Sequence, residues 1–116
     1  MGFSEKRKYP RVDETVACQL TVNGATFSAQ TANLSCGGAL CLFERSVAPM
    51  TQLEISFQLS GSSTRMIRCI GVVVRQQQQA RGFSTAIYFS DLRQEDRRHI
   101  AEFVLRSMLS HDRRSA

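Results

Sequence analysis

The amino-acid sequence predicts a mainly β domain, a six-stranded antiparallel β-barrel closed by one C-terminal α-helix. Three observations lead to this fold class. About six short segments alternate apolar and polar residues with period two, turn residues separate them, and the period changes to 3.6 near the end. A small barrel of short antiparallel strands with a helix over its mouth satisfies that order of elements.

The strands can be placed one after another. Val16, Cys18, Leu20 and Val22 alternate with polar neighbours, and Asn23-Gly24 then gives the hairpin turn to a partner strand at residues 27–32. The same alternation or a β-branched run predicts four more strands, at residues 39–43, 53–59, 66–74 and 83–89. Between them we expect a polar, glycine-rich segment, a connection, a turn and a polar loop, at residues 33–38, 44–49, 61–63 and 76–81.

A helix of about four turns should follow the last strand. Asp91 and Gln94 resemble a capping box at its start. Five apolar residues at helical spacing form one stripe, Ile100, Phe103, Val104, Met108 and Leu109. We expect this stripe to pack on the domain, and its end is also suited to self-association with a second copy.

Composition indicates one soluble domain rather than a membrane or metal-binding protein. The 116 residues are 42% hydrophobic and 22% charged, without an apolar run of the roughly 20 residues that cross a bilayer. Because the N-terminus also lacks a signal-peptide core, we expect a cytoplasmic protein without membrane insertion. Without a C-x-x-C pair, and with histidines far away in sequence, we expect reduced, mostly buried thiols and no metal at Cys18, Cys36, Cys41 and Cys69.

Charge and motifs favour a binding protein over an enzyme. The net charge of +5 favours an anionic partner, and the basic residues cluster near both ends of the chain. No nucleophile elbow or phosphate-binding glycine loop is present in the sequence, and the acidic residues form no pair on one strand face. We therefore expect no catalytic residue, and divide the chain into a basic arm, a barrel with its closing helix, and a polar tail, at residues 1–13, 14–110 and 111–116.

The segment Arg7-Lys8-Tyr9-Pro10-Arg11 is the first candidate for ligand binding. Pro10 excludes a helix here, so we expect an extended arm whose two arginines bracket a ligand. Guanidinium groups bind phosphate with paired hydrogen bonds and stack on purine rings. Ordering five residues costs about 5–10 kcal/mol and one charge-assisted hydrogen bond returns about 1.5–3 kcal/mol, so the ligand must make several contacts. By itself this pattern is also that of a solvated basic tail.

The second candidate is the turn Asn33-Leu34-Ser35-Cys36-Gly37-Gly38. Asn33 and Ser35 carry short polar side chains for base edges or phosphate, and the two glycines allow a ligand to approach the backbone closely. Alone, such a segment is also an ordinary turn. The arm precedes the first strand and the turn follows the second, so both can converge at one end of a barrel.

This pairing of motifs resembles the PilZ domain family, bacterial receptors for cyclic di-GMP. That family carries R-x-x-x-R in an N-terminal arm and [D/N]-x-S-x-x-G after the second strand. Here the first reads Arg7 to Arg11, and the second reads Asn33, Ser35 and Gly38. The order of elements agrees as well, so the resemblance covers residues 5–105 and implies a PilZ-type six-stranded barrel with a C-terminal helix.

The resemblance also implies roles for these residues. Arg7 and Arg11 would hold phosphates and guanines, Asn33 and Ser35 would contact a guanine and a phosphate, and Gly38 would permit the close turn. Three further residues are candidate ligand contacts, Lys6, Gly37 and Arg75. In this family a basic residue at the position of Lys6 accompanies an intercalated ligand dimer, which implies two cyclic di-GMP molecules per chain. Asn33 stands where aspartate is commoner, which weakens recognition of the guanine N–H groups.

The implied function is that of a cyclic di-GMP effector in motility, biofilm or virulence control. Ligand binding would order the arm, and an unidentified downstream protein would recognise the changed surface. One alternative is a small barrel that binds nucleic acid, but Trp is absent and Phe27, Phe57, Phe83 and Phe89 fall in core register. The other alternative is a PilZ-like protein adaptor whose ligand site is idle, which the arginines and Ser35 disfavour.

Overall fold

Six antiparallel strands form a closed barrel, followed by one long helix, as the sequence predicts. The computed structural model describes residues 9–60 and 64–115. The strands are β1 (Ala17–Val22), β2 (Ala25–Leu34), β3 (Gly38–Phe43), β4 (Gln52–Leu59), β5 (Arg65–Gln79) and β6 (Gly82–Phe89), and the helix is α1 (Gln94–Ser115). Around the barrel the strands run β1-β2-β3-β6-β5-β4, and β4 pairs with β1 to close it.

Alternation along the strands fills the barrel interior, as β4 shows. Leu53, Ile55, Phe57 and Leu59 are all buried, and the residues between them face outward. The predicted hairpin turn between β1 and β2 is confirmed, with Asn23 at φ 51° and Gly24 at φ 83°. The four cysteines are buried thiols, as expected.

The predicted polar loop at residues 76–81 is wrong, because β5 continues to Gln79. The glutamines pair with β6 as far as Gln79 opposite Gly82, so the connection is a short turn at residues 80–81. Gln76 explains why a polar sequence can remain a strand. Its side chain accepts a hydrogen bond from the Val47 N–H at 3.0 Å and donates to Thr85 Oγ1 at 2.8 Å. These polar contacts, rather than an apolar face, stabilise the extension.

The start of α1 also differs from the prediction. The helix begins at Gln94, and Asp91 does not cap it. Instead, Asp91 Oδ1 accepts a hydrogen bond from the Ile70 N–H at 2.6 Å, on strand β5. The carboxylate therefore fixes the end of β6 against β5 rather than the first turn of the helix.

Helix α1 is longer than predicted, with 22 residues or about six turns. Ile100 and Val104 are buried in the core, and Phe103 packs beside them. Met108 and Leu109, at the end of the stripe, are 43% and 49% exposed and do not pack in the core, so self-association through this end stays a prediction. Polar contacts join the helix to the barrel, including Arg65 Nε to Asp96 Oδ1 at 2.8 Å.

Candidate ligand-binding site

The end of the N-terminal arm is fixed to the barrel beside the predicted turn. Val12 and Leu34 form an isolated antiparallel bridge, in which each N–H donates to the other's carbonyl at 3.0 Å. Both side chains are buried in the core, so the bridge is held by packing as well. Because the chains run in opposite directions, Arg11, one residue before Val12, lies next to Ser35, one residue after Leu34.

Residues 35–38 form a tight turn that is organised by Ser35. The Ser35 hydroxyl accepts hydrogen bonds from the N–H groups of Gly37 at 3.0 Å and Gly38 at 3.3 Å. The Ser35 N–H donates to the Gly38 carbonyl at 2.9 Å, and the Phe89 N–H donates to the Gly37 carbonyl at 2.9 Å. Ser35 is buried, so its first role in this structure is to shape the turn.

Gly38 has a steric role. A Cβ atom at this position would lie 2.1 Å from the carbonyl oxygen of Ile87 in strand β6. Gly38 pairs with Tyr88 in the sheet, so the contact would fall on backbone that the β3–β6 ladder fixes. Only glycine permits the two strands to approach this closely.

The floor of the site is the outer face of strands β3, β6 and β5. Leu40, Ala86 and Arg75 are cross-strand neighbours there, while the adjacent Ala39, Ile87 and Val73 point into the core. The ladder between β5 and β6 shifts register between Val73 and Arg75, which marks a bulge. The small side chain of Ala86 leaves a depression between the arm and Arg75.

A groove of about 290 Å³ lies over this floor. Arg11 and Arg75 both line it, and no acidic side chain lines it among the described residues. Asn33 also lines it, and its side chain makes no hydrogen bond with the described part of the chain. The groove therefore combines positive charge, an amide with donor and acceptor capacity, and a backbone turn that a ligand can approach closely.

The structure brings together most of the residues that the sequence nominated. Six of them line this single groove, namely Arg11, Asn33, Ser35, Gly37, Gly38 and Arg75. Lys6 and Arg7 lie outside the described residues. The juxtaposition joins three separate segments of the chain, the arm, the turn and strand β5, and a ligand contact by each residue stays a prediction.

Sequence reasoning missed two tyrosines at the groove. Tyr88 is 56% exposed on the outer face of β6, and Tyr9 lies beside Gly37 at the opposite wall. Strand alternation contained the signal for Tyr88, because Ile87 and Phe89 in core register place the residue between them outside. No local pattern indicated Tyr9, which lies at the groove because Val12 anchors the arm and the Arg97 guanidinium lies over the Tyr9 ring.

A second groove, of about 520 Å³, runs along α1 and shares Tyr9 with the first. Its lining is mostly apolar, including Pro10, Val104, Leu105 and Met108. Although larger, it is not lined by the Gly37-Gly38 turn or by Arg11, Asn33 and Arg75. The smaller groove over β3, β6 and β5 is therefore the candidate ligand-binding site.

Two further features are absent from the described part of the chain. No group of three or more His, Cys, Asp or Glu side chains there is arranged to hold a metal ion. No helix in that part is both long enough and apolar enough to span a bilayer.

The fold and the groove together define a small β-barrel domain with a basic cleft on its outer wall. The family model of the PilZ domain matches residues 5–106. The chain therefore belongs to the PilZ domain family. Comparison with curated proteins gave no match.

Several solved structures share this fold. The Bacillus subtilis inhibitor of motility, MotI/DgrA, superposes with a TM-score of 0.83 at 20% identity, over 90% of this chain and 52% of that one. The chain thus spans about half the length of that structure. The PilZ domain of Escherichia coli YcgR with c-di-GMP gives a TM-score of 0.67 at 13% identity, over 95% and 97% of the two chains. The PilZ domain of CeSA from a cellulose-synthesizing bacterium gives 0.58 at 17% identity, over 83% and 95%.

Proposed function

We propose that this protein is a non-catalytic cyclic di-GMP receptor that binds its ligand in the groove over β3, β6 and β5. The observation that carries the proposal is the convergence of the arm, the turn and the β5 bulge on one groove. Cyclic di-GMP supplies phosphates for arginine and guanine bases for hydrogen bonding and stacking. The similarity of the fold to the YcgR PilZ domain, whose structure contains c-di-GMP, supports this choice of ligand.

The chemistry of the groove supports a role for each side chain. Arg11 and Arg75 bind phosphate and stack on or hydrogen-bond to guanine, since guanidinium does both. Asn33 offers an amide to a guanine edge, with an acceptor but without the charge of aspartate. Tyr88 and Tyr9 present aromatic faces for base stacking, which contributes about 1–3 kcal/mol per base.

The size of the groove supports a ligand-binding function for the arm. At about 290 Å³ it is at the small end of ligand pockets, which measure about 300–1,000 Å³, so a ligand with two bases extends beyond it. Residues before Tyr9 carry Lys6 and Arg7, and we propose that they fold over the ligand. A second cyclic di-GMP, stacked on the first and held by Lys6, would complete the site.

We further propose that an ordered arm is the signal that another protein recognises in the cytoplasm. Binding changes both the shape and the charge of this face of the barrel. The exposed apolar residues Leu105, Met108 and Leu109 on α1 offer a surface for that partner, or for a second copy of the chain. Similarity of the fold to MotI, an inhibitor of motility, favours motility as the controlled process, with biofilm and virulence as the wider range.

Calorimetric titration with cyclic di-GMP tests the proposal. We expect saturable binding by the unaltered chain at tens of micromolar ligand or below, about 6–7 kcal/mol or more. Arg11→Ala and Arg7→Ala should abolish it while melting of the ligand-free protein barely changes. Arg81→Ala is the matched control, because it removes the same charge from the exposed β5–β6 turn, away from the groove lining. Absence of heat from the unaltered chain would reject the receptor function and favour an adaptor with an idle site.

A further inference from the structure

Arg97, near the start of α1, contacts both halves of the candidate site. Its Nη1 donates a hydrogen bond to the carbonyl oxygen of Cys36 at 3.0 Å. The Cys36 thiol donates in return to the Arg97 carbonyl, with sulfur and oxygen 3.5 Å apart. The guanidinium carbon lies 5.4 Å from the centre of the Tyr9 ring, within cation–π distance. One side chain of the helix thus holds the turn and the arm at the same time.

Tyr9 transmits this contact to the ligand groove. Its ring edge lies against Gly37, where an added Cβ atom would stand 3.1 Å from Tyr9 Cδ2. Tyr9 also lines both the ligand groove and the apolar groove along α1. A displacement of the Tyr9 ring therefore changes the wall of both grooves.

Arg97 itself is not part of the ligand-groove lining, so it acts through its neighbours. Cys36 is buried, and burial raises the pKa of its thiol although the Arg97 charge lowers it, so the thiol remains a hydrogen-bond donor at neutral pH. On the other side of the turn, Phe89 donates to the Gly37 carbonyl. The turn is thus fixed from the helix at residue 36 and from the sheet at residue 37.

We infer that Arg97 is a positioning residue for the ligand site and couples ligand binding energetically to helix α1. This inference rests on the proposed function. Preorganising the turn and Tyr9 lowers the ordering cost of binding. By linkage, a ligand that tightens the turn and Tyr9 must stabilise the contacts of Arg97 by the same factor. The helix, with its exposed apolar groove, is then the element that reports occupancy of the site.

The matched control for Arg97 is the next residue. Arg98 lies on the same helix, is exposed, and makes no ion pair with any described residue. Arg97→Ala and Arg98→Ala remove the same charge from almost the same place. The difference between their ligand affinities separates the effect of the contacts with Cys36 and Tyr9 from the long-range attraction of an anionic ligand. Arg97→Lys keeps the charge but loses the planar group over Tyr9.

The test is calorimetric titration of these variants with cyclic di-GMP, together with hydrogen exchange of α1 amides. We expect Arg97→Ala to weaken binding about 5- to 50-fold, a usual size for coupling between sites, and Arg98→Ala to change it less than about 3-fold. The affinity of Arg97→Lys should lie between the affinities of these two variants. At saturating ligand, exchange of amides in residues 97–104 should slow in the unaltered chain and in Arg98→Ala, but not in Arg97→Ala.

Each result decides the inference. The inference would be overturned, with the receptor function left intact, if Arg97→Ala and Arg98→Ala bound cyclic di-GMP with equal affinity. It would also be overturned if the ligand slowed exchange of the α1 amides in Arg97→Ala as much as in the unaltered chain. If Arg97→Ala does not fold, Arg97→Lys is compared with Arg98→Ala instead. Equal ligand affinity and equal ligand-induced protection of α1 amides in these two variants would overturn the inference. Failure of the unaltered chain to bind cyclic di-GMP would instead reject the proposed function, and the inference with it.

Discussion

Replacement of Gly38 by alanine tests the geometry of the site most severely. The new Cβ atom would stand 2.1 Å from the Ile87 carbonyl oxygen, and 3.3 Å from Tyr88 Cα. Carbon and oxygen approach to about 3.3–3.6 Å even in close contacts between strands, so β3 and β6 must separate by about 1 Å. The neighbouring atoms are backbone, which no change of rotamer can move aside. The β3–β6 ladder therefore has to take up the displacement.

The expected loss of stability in Gly38→Ala follows from the free-energy cost of overpacking. Inserting a methyl group into close-packed surroundings costs about 1–3 kcal/mol, which lowers the melting temperature by about 4–12 °C in a domain near this size. Ligand affinity should fall as well, by at least about tenfold, which corresponds to 1.4 kcal/mol. The reason is that Gly38 accepts from the Ser35 N–H and pairs with Tyr88.

Thermal unfolding followed by circular dichroism, and calorimetry with cyclic di-GMP, measure the two effects. For thermal stability Gly37→Ala is the matched control, because its Cβ meets side chains rather than backbone, the nearest being the ring edge of Tyr9 at 3.1 Å, and a side chain can yield. We expect it to cost less than about 1 kcal/mol. A melting temperature of Gly38→Ala within about 1 °C of the unaltered protein would refute the close strand approach and the steric role of this glycine.

Three further outcomes follow from the described contacts. Thr31→Val should cost about 1–3 kcal/mol in urea unfolding without altering ligand affinity, because the buried Thr31 hydroxyl accepts from the Val16 N–H and donates to the Glu14 carbonyl. Burial raises the pKa of the Cys69 thiol to about 12 in the folded state. The free energy of unfolding should therefore fall between about pH 9 and pH 12, because the unfolded chain loses this proton at a lower pH than the folded chain. Cys69→Ala should flatten that decline, and an equal decline would contradict the assignment. Tyr88→Ala should weaken cyclic di-GMP binding about fivefold or more at unchanged melting temperature, and unchanged affinity would exclude stacking on this ring.

The sequence was sufficient for the barrel because its strands bury one face each. Leu53, Ile55, Phe57 and Leu59 show the rule, since period-two alternation and burial coincide along β4. It was insufficient for the end of β5, because Gln76 and its neighbours are held by ladder and side-chain hydrogen bonds that leave no apolar pattern. Local capping signals failed at Asp91 for a related reason: a carboxylate binds whichever N–H the tertiary fold presents, here that of Ile70.

The candidate site could be predicted in part. The motif residues Arg11, Asn33 and Gly38 could be predicted, because each motif is local in sequence. The anchoring bridge between Val12 and Leu34 could not be predicted, since it joins two segments through a single isolated pair of residues. Arg97 could not be found at all, because its importance arises only when helix α1 brings it against Cys36, 61 residues away. Contacts of that kind follow from the packing of the helix rather than from any spacing in the chain.

Titration of the ¹⁵N-labelled chain, followed by NMR, shows whether cyclic di-GMP occupies the groove over β3, β6 and β5. Addition of cyclic di-GMP should shift the amide resonances of residues 33–38, Arg75 and Tyr88. Those of Thr21 and Glu54, which are paired across β1 and β4, should stay in place. Perturbations confined to the β1–β4 face, or none at saturating ligand, would show that cyclic di-GMP does not bind in this groove.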